Sequence, residues 1–441
     1  MSDDYNLRGK VAVVGVGETT YYKHGQSGDP EFVLVLKAIL AACEDAGISP
    51  KEIDGFCSYS NDRNDPPRLA NALGIPELRY SNMQWTSGGG GAAAAVQNAA
   101  GAIVAGSAEV VVAYRGLAQG QFGRFGRSGG SRPVSGPAAY TLPYGMMSAA
   151  QMYAMRTTRF MHEHGVGRSS MRAIAMACYH HAQNNPRAVM HGRTLDEETY
   201  DSSRWITEPY RLFDCCLEND GAAAIIVTRT DRAKDLAKTP ALVLAAQQSG
   251  GHRSGATAEN ATDYVTSSFK PAVKYLYQQA GITADDIDVV QSYENFTGGV
   301  VMSLIEHGLC TYENADEVLT FDNLRADGGA LPLNTSGGNL AECYMHGLGL
   351  QVEAVRQVRG ESSNQVPDAK VALAVFRHWR EESNIEDDSE LYSGVSAAAR
   401  SNNTTIRNIV RDVCRTGDGT ANITEIYNAA SARKLPETAV E

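Results

Sequence analysis

The feature that most constrains this chain is an internal repeat. Residues 46–54 read AGISPKEID and residues 280–288 read AGITADDID. A helical pattern precedes each, and each leads into a short apolar run ending in Ser-Tyr, GFCSYS at 55–60 and VVQSYE at 289–294. One offset carries Ala46 onto Ala280, Ser58 onto Ser292 and Tyr59 onto Tyr293. A glycine-rich segment opening a helix follows in each half, SGGGGAAAAVQNAAGAIVAG and SGGNLAECYMHGLGLQVEAVRQVRG, and then an apolar strand, AEVVVAYRG or AKVALAVFRH. Ordered agreement over four elements is duplication rather than a chance nine-residue match. Two similar halves should pack as pseudo-symmetric lobes, with ligand chemistry where their loops meet.

Short, β-branched apolar runs bounded by turns (KVAVVGVG, AEVVVAYRG, AAAIIVT) read as buried strands. They alternate with helical patterns, EFVLVLKAILAACEDAG and GAAAAVQNAAGAIVAG, so the fold class is layered α/β. The halves span residues 1–235 and 236–378. Residues 117–210 belong to neither repeat and form an insertion within the first half. It begins with the Gly/Arg-rich GQFGRFGRSGGSRPVSGP and continues as helices. Insertions of this length are usually functional when ordered; its arginines either meet an anionic cofactor or lie in solvent. Residues 379–441 are strongly polar and read as disordered or partly helical.

A net charge of −12 with no basic stripe excludes a general nucleic-acid binder. Eight cysteines in 441 residues are too sparse for a disulfide scaffold, and reduced, cytoplasmic thiols are expected. No CxxC or Cys/His cluster has zinc spacing, and His162, His164, His180 and His181 show no metal pattern, so no metal is expected. Cys215 and Cys216 are expected to be buried beside a strand. The start MSDDYNLRGKVAVVGVG is not a signal peptide. The most apolar stretch, residues 92–105, is too short and polar to span a bilayer.

The segment GGNLAECYMHGLG at 337–349 implies a tight chain path, because glycine fits where a Cβ would clash or φ is positive. It holds Cys343, Tyr344 and His346, and as residues alone it reads first as a turn with one packed aromatic and one solvated histidine.

The motifs DGFCSYS, YGMMSAAQMYAMRTTRFMHEHG, YRLFDCCLENDGAAAIIVT, QSYENFTGG and NTSGGNLAECYMHGLG, spread from about residue 10 to 376, together resemble the thiolase superfamily. More narrowly the chain resembles the lipid-transfer-protein branch, with the thiolase-like domain of sterol carrier protein X and the bacterial steroid side-chain aldolases. The resemblance implies a thiolase-like fold, with the two halves in α/β/α/β/α layers. It departs from the thiolase pattern at the reacting residues. A thiolase places its nucleophilic cysteine where this chain has Gly89, inside SGGGG, and acyl transfer needs a thiolate there. The GHP-x-G loop aligns with CYMHG, putting Tyr344 where a catalytic histidine would stand. The NEAF or HDCF element aligns with YENF, putting Tyr293 in place of Asn or His. The cysteine-bearing glycine loop that ends a thiolase has no counterpart after KVALAVF.

What the resemblance implies is retro-aldol cleavage of a steroid-type β-hydroxyacyl-CoA, releasing propionyl-CoA and a ketone. Such a reaction needs a base for the hydroxyl, an acid for the departing carbanion and a stabiliser at the thioester oxygen. Tyr293 and Tyr344 take the proton transfers in an order left open. An unperturbed phenol, with a pKa of ~10, is a poor base at neutral pH. His346 is expected either to lower a phenol's pKa or to donate to the thioester oxygen. Gly88, Gly89 and Gly90 are candidate backbone donors, and Asn295, Gly338, Cys343 and Gly347 candidate substrate contacts. Coenzyme A enters as part of the substrate, with no covalently bound cofactor. A homodimer paired through the strand EVVVAYRG across a two-fold axis is implied, as is an OB-fold, zinc-ribbon partner of the acyl-CoA hydratase system. A non-catalytic acyl-CoA-binding subunit is the alternative, and a true thiolase the third reading.

Overall fold

The computed structural model describes residues 6–60, 62–84, 91–122, 142–248 and 264–375. The candidate donors Gly88, Gly89 and Gly90, most of the Gly/Arg-rich loop and the tail 379–441 lie outside the described residues. Both halves of the repeat belong to one unit, Met1–Glu382.

The strands are β1 (Val11–Glu18), β2 (Tyr22–Lys23), β3 (Gly55–Tyr59), β4 (Tyr80–Gln84), β5 (Val110–Ala118), β6 (Trp205–Thr207), β7 (Tyr210–Arg211), β8 (Asn219–Arg229), β9 (Ala241–Leu242), β10 (Val289–Ser292) and β11 (Ala372–Val375). The principal helices are α1 (Glu31–Ala46), α2 (Pro66–Leu73), α3 (Gly91–Val104), α4 (Ala149–His164), α5 (Arg168–Asn184), α6 (Lys270–Ala280), α7 (Thr297–Glu306) and α8 (Leu348–Arg359). The first half, joined by β9 from the start of the second, builds a seven-stranded mixed sheet in the order β4-β3-β5-β8-β1-β9, with β2 attached to β8. β3 runs parallel to β4 and β5, while β8 is antiparallel to β5 and β1.

The strands are apolar on both faces because the sheet is covered on both. On one side Ala12, Val14, Val112, Ala224 and Ile226 pack with the Leu34, Val35, Ala38, Ile39 and Ala42 stripe of α1. On the other, Val11, Val13, Val111, Ile225 and Val227 pack with the alanine face of α3 and with Leu348, Val352 and Val355 of α8. A third core joins α4 and α5 of the insertion to α7 and the 338–341 turn. No helix among the described residues is long and apolar enough to cross a membrane.

The duplication is visible in hydrogen bonds. After α1, Ser49 and Glu52 form a reciprocal cap around a short 3₁₀ turn, and after α6 Thr283 and Asp286 form the same cap. The aspartate closing each repeat then grips the start of the neighbouring parallel strand. Asp54 accepts the N–H groups of Glu109 and Val110 before β5, and Asp288 those of Lys370 and Val371 before β11, at 2.8–3.0 Å.

The sheets of the two halves are unequal. β10 and β11 form a parallel pair alone among the described residues. Two further expectations are corrected. β5 is paired by β3 on one side and β8 on the other, so its backbone groups are consumed and it offers no edge for a two-fold; among the described residues the sheet ends at β4 on one side and β9 on the other. Cys215 and Cys216 are only half-buried, because they lie in the segment leading into β8, where Cys215 bridges to Phe296, rather than beside that strand.

Candidate active site

The chain enters the site through two loops, one from each end of the second half. The first leaves β10 as Tyr293-Glu294-Asn295-Phe296. The second runs from Asn334 to Gly347 and opens α8. Asn334 joins them by accepting Ser292 N–H at 2.7 Å and donating its amide to Ser292 O at 2.8 Å.

Gly338 lies at φ +57°, and a Cβ built there would stand 1.7 Å from Glu294 Oε1. Only glycine lets the second loop close on the first. Glu294 uses that closeness. It accepts the Asn339 backbone N–H at 2.6 Å and its side-chain amide at 3.0 Å, while Cys178 Sγ of α5 lies 4.0 Å away. Burial pushes the Glu294 carboxyl up to about 8.

These constraints bring the two tyrosines together. The hydroxyls of Tyr293 and Tyr344 are 2.7 Å apart, with both side chains buried. The counterpart of Tyr293 in the first repeat, Tyr59, reaches the same loop from β3. Its hydroxyl contacts the carbonyl oxygens of Met345 at 3.2 Å and His346 at 3.1 Å. It thereby braces a turn in which His346 (φ +49°) and Gly347 (φ +88°) are both left-handed. The duplicated tyrosines thus converge on one segment, Tyr344–His346, one through its hydroxyl and one through its backbone.

His346 lies 5.1 Å from Tyr344, centroid to centroid. Burial, then Arg115 and Arg63, holds its imidazole well below its ordinary pKa and therefore neutral. Of the two roles expected of His346, lowering a phenol's pKa or donating to the thioester oxygen, a neutral ring can serve either only through a hydrogen bond. The fixed cation nearby is Arg115. It is buried in a 3.0 Å pair with Asp62 and donates to Tyr59 O at 3.0 Å.

The remaining candidates have backbone or packing duties. Gly338 N–H is donated to Ser336 Oγ at 3.3 Å, and Gly347 caps α8. Asn295 is buried, its Oδ1 accepts Phe296 N–H and its carbonyl accepts Cys216 N–H. Cys343 is buried, and burial with Glu342 and Glu18 raises its thiol well above the ordinary value, which is the reverse of an activated nucleophile. Burial likewise pushes Cys57 and Cys310 up to about 12. Among the described residues no group of three His, Cys, Asp or Glu could hold a metal. A cavity of about 900 Å³ is lined by residues including Glu18, Tyr21, Arg187 and Arg356, and its walls include neither Tyr293 nor Tyr344.

Three residues of this constellation escaped sequence reasoning. Tyr59 carried a signal, its position opposite Tyr293 in the repeat. Arg115 and Asn219 carried none. Asn219, whose Oδ1 accepts Tyr344 N–H at 2.6 Å, lies 125 residues away along the chain.

Comparison with known proteins follows the same lines. A family model described as thiolase C-terminal domain-like matches residues 250–376. The chain is 37% identical over 374 residues to a steroid side-chain-cleaving aldolase of Thermomonospora curvata, covering 83% of this chain and 95% of that protein. It is also 37% identical over 385 residues to the 17-hydroxy-3-oxo-4-pregnene-20-carboxyl-CoA lyase of Mycobacterium tuberculosis, covering 83% and 96%. A solved Ltp2-ChsH2 (DUF35) aldolase superposes with a TM-score of 0.77 at 36% identity, covering 83% of this chain and 94% of that one.

Proposed function

We propose, for a chain that belongs to the thiolase-like family of steroid side-chain-cleaving aldolases, that its reaction is retro-aldol cleavage of a 17-hydroxy steroid C20-carboxyl-CoA thioester. It is a carbon–carbon lyase of acyl-CoA substrates. The 17-hydroxyl gives its proton to one tyrosine of the Tyr293–Tyr344 pair. The C17–C20 bond breaks, its electron pair passing into the thioester enolate, and a proton from the pair is delivered to C20. The products are a 17-ketone and propionyl-CoA. Proton count is conserved, because what the hydroxyl loses the carbanion gains, and the 2.7 Å contact lets the two phenols exchange it.

That contact is the observation supporting the reading most directly. Thiolase chemistry is disfavoured by the raised thiols around the site. Incubating the protein with 17-hydroxy-3-oxo-4-pregnene-20-carboxyl-CoA tests the reading. Appearance of propionyl-CoA and the 17-ketone in equal amounts is expected, and absence of both sinks it.

The working form proposed is a cytoplasmic homodimer joined through β4. Its steroid acyl-CoA chemistry would be completed by a separate OB-fold, zinc-ribbon polypeptide. The solved relative carries a second component, ChsH2 (DUF35), in its name, which supports looking for one here. Co-expression that changes neither solubility nor turnover would count against the partner.

A further inference from the structure

Asn219 opens β8, and strand alternation places its side chain on the face of Ala223, Ile225 and Val227. Those residues belong to the core that contains Tyr293 and Tyr344. The approach to Asn219 is tied to both tyrosine-bearing loops. Cys216 donates its N–H to Asn295 O at 3.0 Å, and Leu217 donates to Asn339 O at 2.9 Å.

The orientation of the Asn219 amide is fixed by its partner. A backbone N–H can only donate, so the atom facing Tyr344 N at 2.6 Å must be Oδ1. Nδ2 then points elsewhere. The residue is wholly buried, and among the described residues Nδ2 has no acceptor. Native proteins seldom bury an amide donor without a use for it, and this one stands beside the backbone of a reacting residue.

Resting on the aldolase reading, we propose that Asn219 Nδ2 donates a hydrogen bond to the thioester oxygen of the bound substrate. Negative charge collects on that oxygen as the carbon–carbon bond breaks. The tyrosine pair is occupied with moving the proton, so the oxygen needs a donor that keeps its own. A carboxamide does not ionise at any pH the enzyme meets, and its anchored Oδ1 holds the donor in place before charge develops. A preorganised donor of this kind acts mainly on the transition state.

Asn219→Asp separates this role from support of Tyr344 at a pH where the new carboxyl is ionised, because it then keeps an oxygen for Tyr344 N–H and lacks the donor. With 17-hydroxy-3-oxo-4-pregnene-20-carboxyl-CoA, kcat of the ionised variant should fall about 10²–10³-fold, with KM raised no more than about tenfold and Tm lowered by the buried carboxylate. A variant kcat within about threefold of wild type overturns the proposal. A binding measurement on the wild type alone needs neither turnover nor a folded variant. The 17-deoxy thioester, which cannot be cleaved, is compared with its thioether counterpart lacking the carbonyl oxygen. Preference for the thioester by about tenfold or more is expected, and equal affinity overturns the proposal. Absence of propionyl-CoA from the wild type, with the thioester preference intact, would instead fail the aldolase reading.

Discussion

At the scale of single residues, the proposed chemistry must work against the tendency of a phenol to keep its proton at neutral pH, and the feature that bears on it is a second phenol within hydrogen-bonding distance. Tyr344→Phe deletes one hydroxyl and leaves the ring packed. Turnover should fall about 10²-fold or more, with much smaller change in KM and Tm. Tyr293→Phe should behave alike. The double variant should lose less than the product of the single losses, because the hydroxyls act as one unit. Near-normal turnover in Tyr344→Phe would leave the non-catalytic acyl-CoA-binding subunit as the better reading. His346 bears on the pH profile by its silence: burial, then the charges of Arg115 and Arg63, keep it neutral, so His346→Ala should slow turnover without moving the kinetic pKa. Glu294 does the opposite. Its carboxyl holds its proton up to about 8 in the folded protein, whereas the unfolded chain releases it near ~4.3. Between those values the folded state binds the extra proton, so this group's contribution makes stability fall as pH rises. Glu294→Gln, which cannot ionise, should flatten the decline between pH 6 and pH 8 in denaturant titrations. Glu342, also raised to about 8 by burial, preserves part of the slope. An unchanged slope in the glutamine variant would remove Glu294 as its source.

At the scale of elements, the informative unit is the loop clasped by glycine. Gly338→Ala would add a Cβ 1.7 Å from Glu294 Oε1 on a residue at φ +57°. A loss of at least about 2 kcal/mol is expected from the dihedral and the clash together. Turnover should fall with it, because the loop carrying Tyr344 must retreat from the loop carrying Tyr293. Denaturant unfolding beside a propionyl-CoA assay reads both, and a fully stable alanine variant would contradict this account of the closure. Much of this was legible in the sequence. β1, β5 and β8 are short, β-branched and buried on both faces, so periodicity and composition agree, and the repeat placed Tyr293 opposite Tyr59 before any coordinates. β4 was not legible. YSNMQ alternates half-buried and exposed side chains and carries three polar residues, as an edge strand can, a pattern too weak to set against the two-fold through β5 that the resemblance implies. Nor could sequence show the charge state of His346, which depends first on its burial and then on the charges of Arg115 and Arg63, or the bond from Asn219 to Tyr344. Both arise from segments far apart in the chain, and neither leaves a local pattern.

At the scale of the whole molecule, the question is what closes the sheet. One end is the two-residue β9; the other is β4, whose outer backbone groups have no strand partner among the described residues. Exposed edges invite association, and a second copy in two-fold relation satisfies both edges at once. β4 carries Met83, 37% exposed, on that margin, with Ser81, Asn82 and Gln84 around it and no lysine or proline to repel a neighbour. The protein should therefore sediment at twice its 47.3 kDa at micromolar concentration. Met83→Lys brings two like charges to the symmetric margin and should shift the equilibrium toward monomer by about tenfold or more. The same strand ends at Gln84, just ahead of Gly88 in the sequence and of α3, which starts at Gly91. Pairing through β4 would thus hold the approach to the first glycine segment in both copies. Specific activity should then fall on dilution through the dimer dissociation range, and Met83→Lys should move that fall to higher concentration. Activity independent of concentration in a protein that does dissociate would show that each copy works alone, and a monomer at all concentrations would remove β4 as an interface.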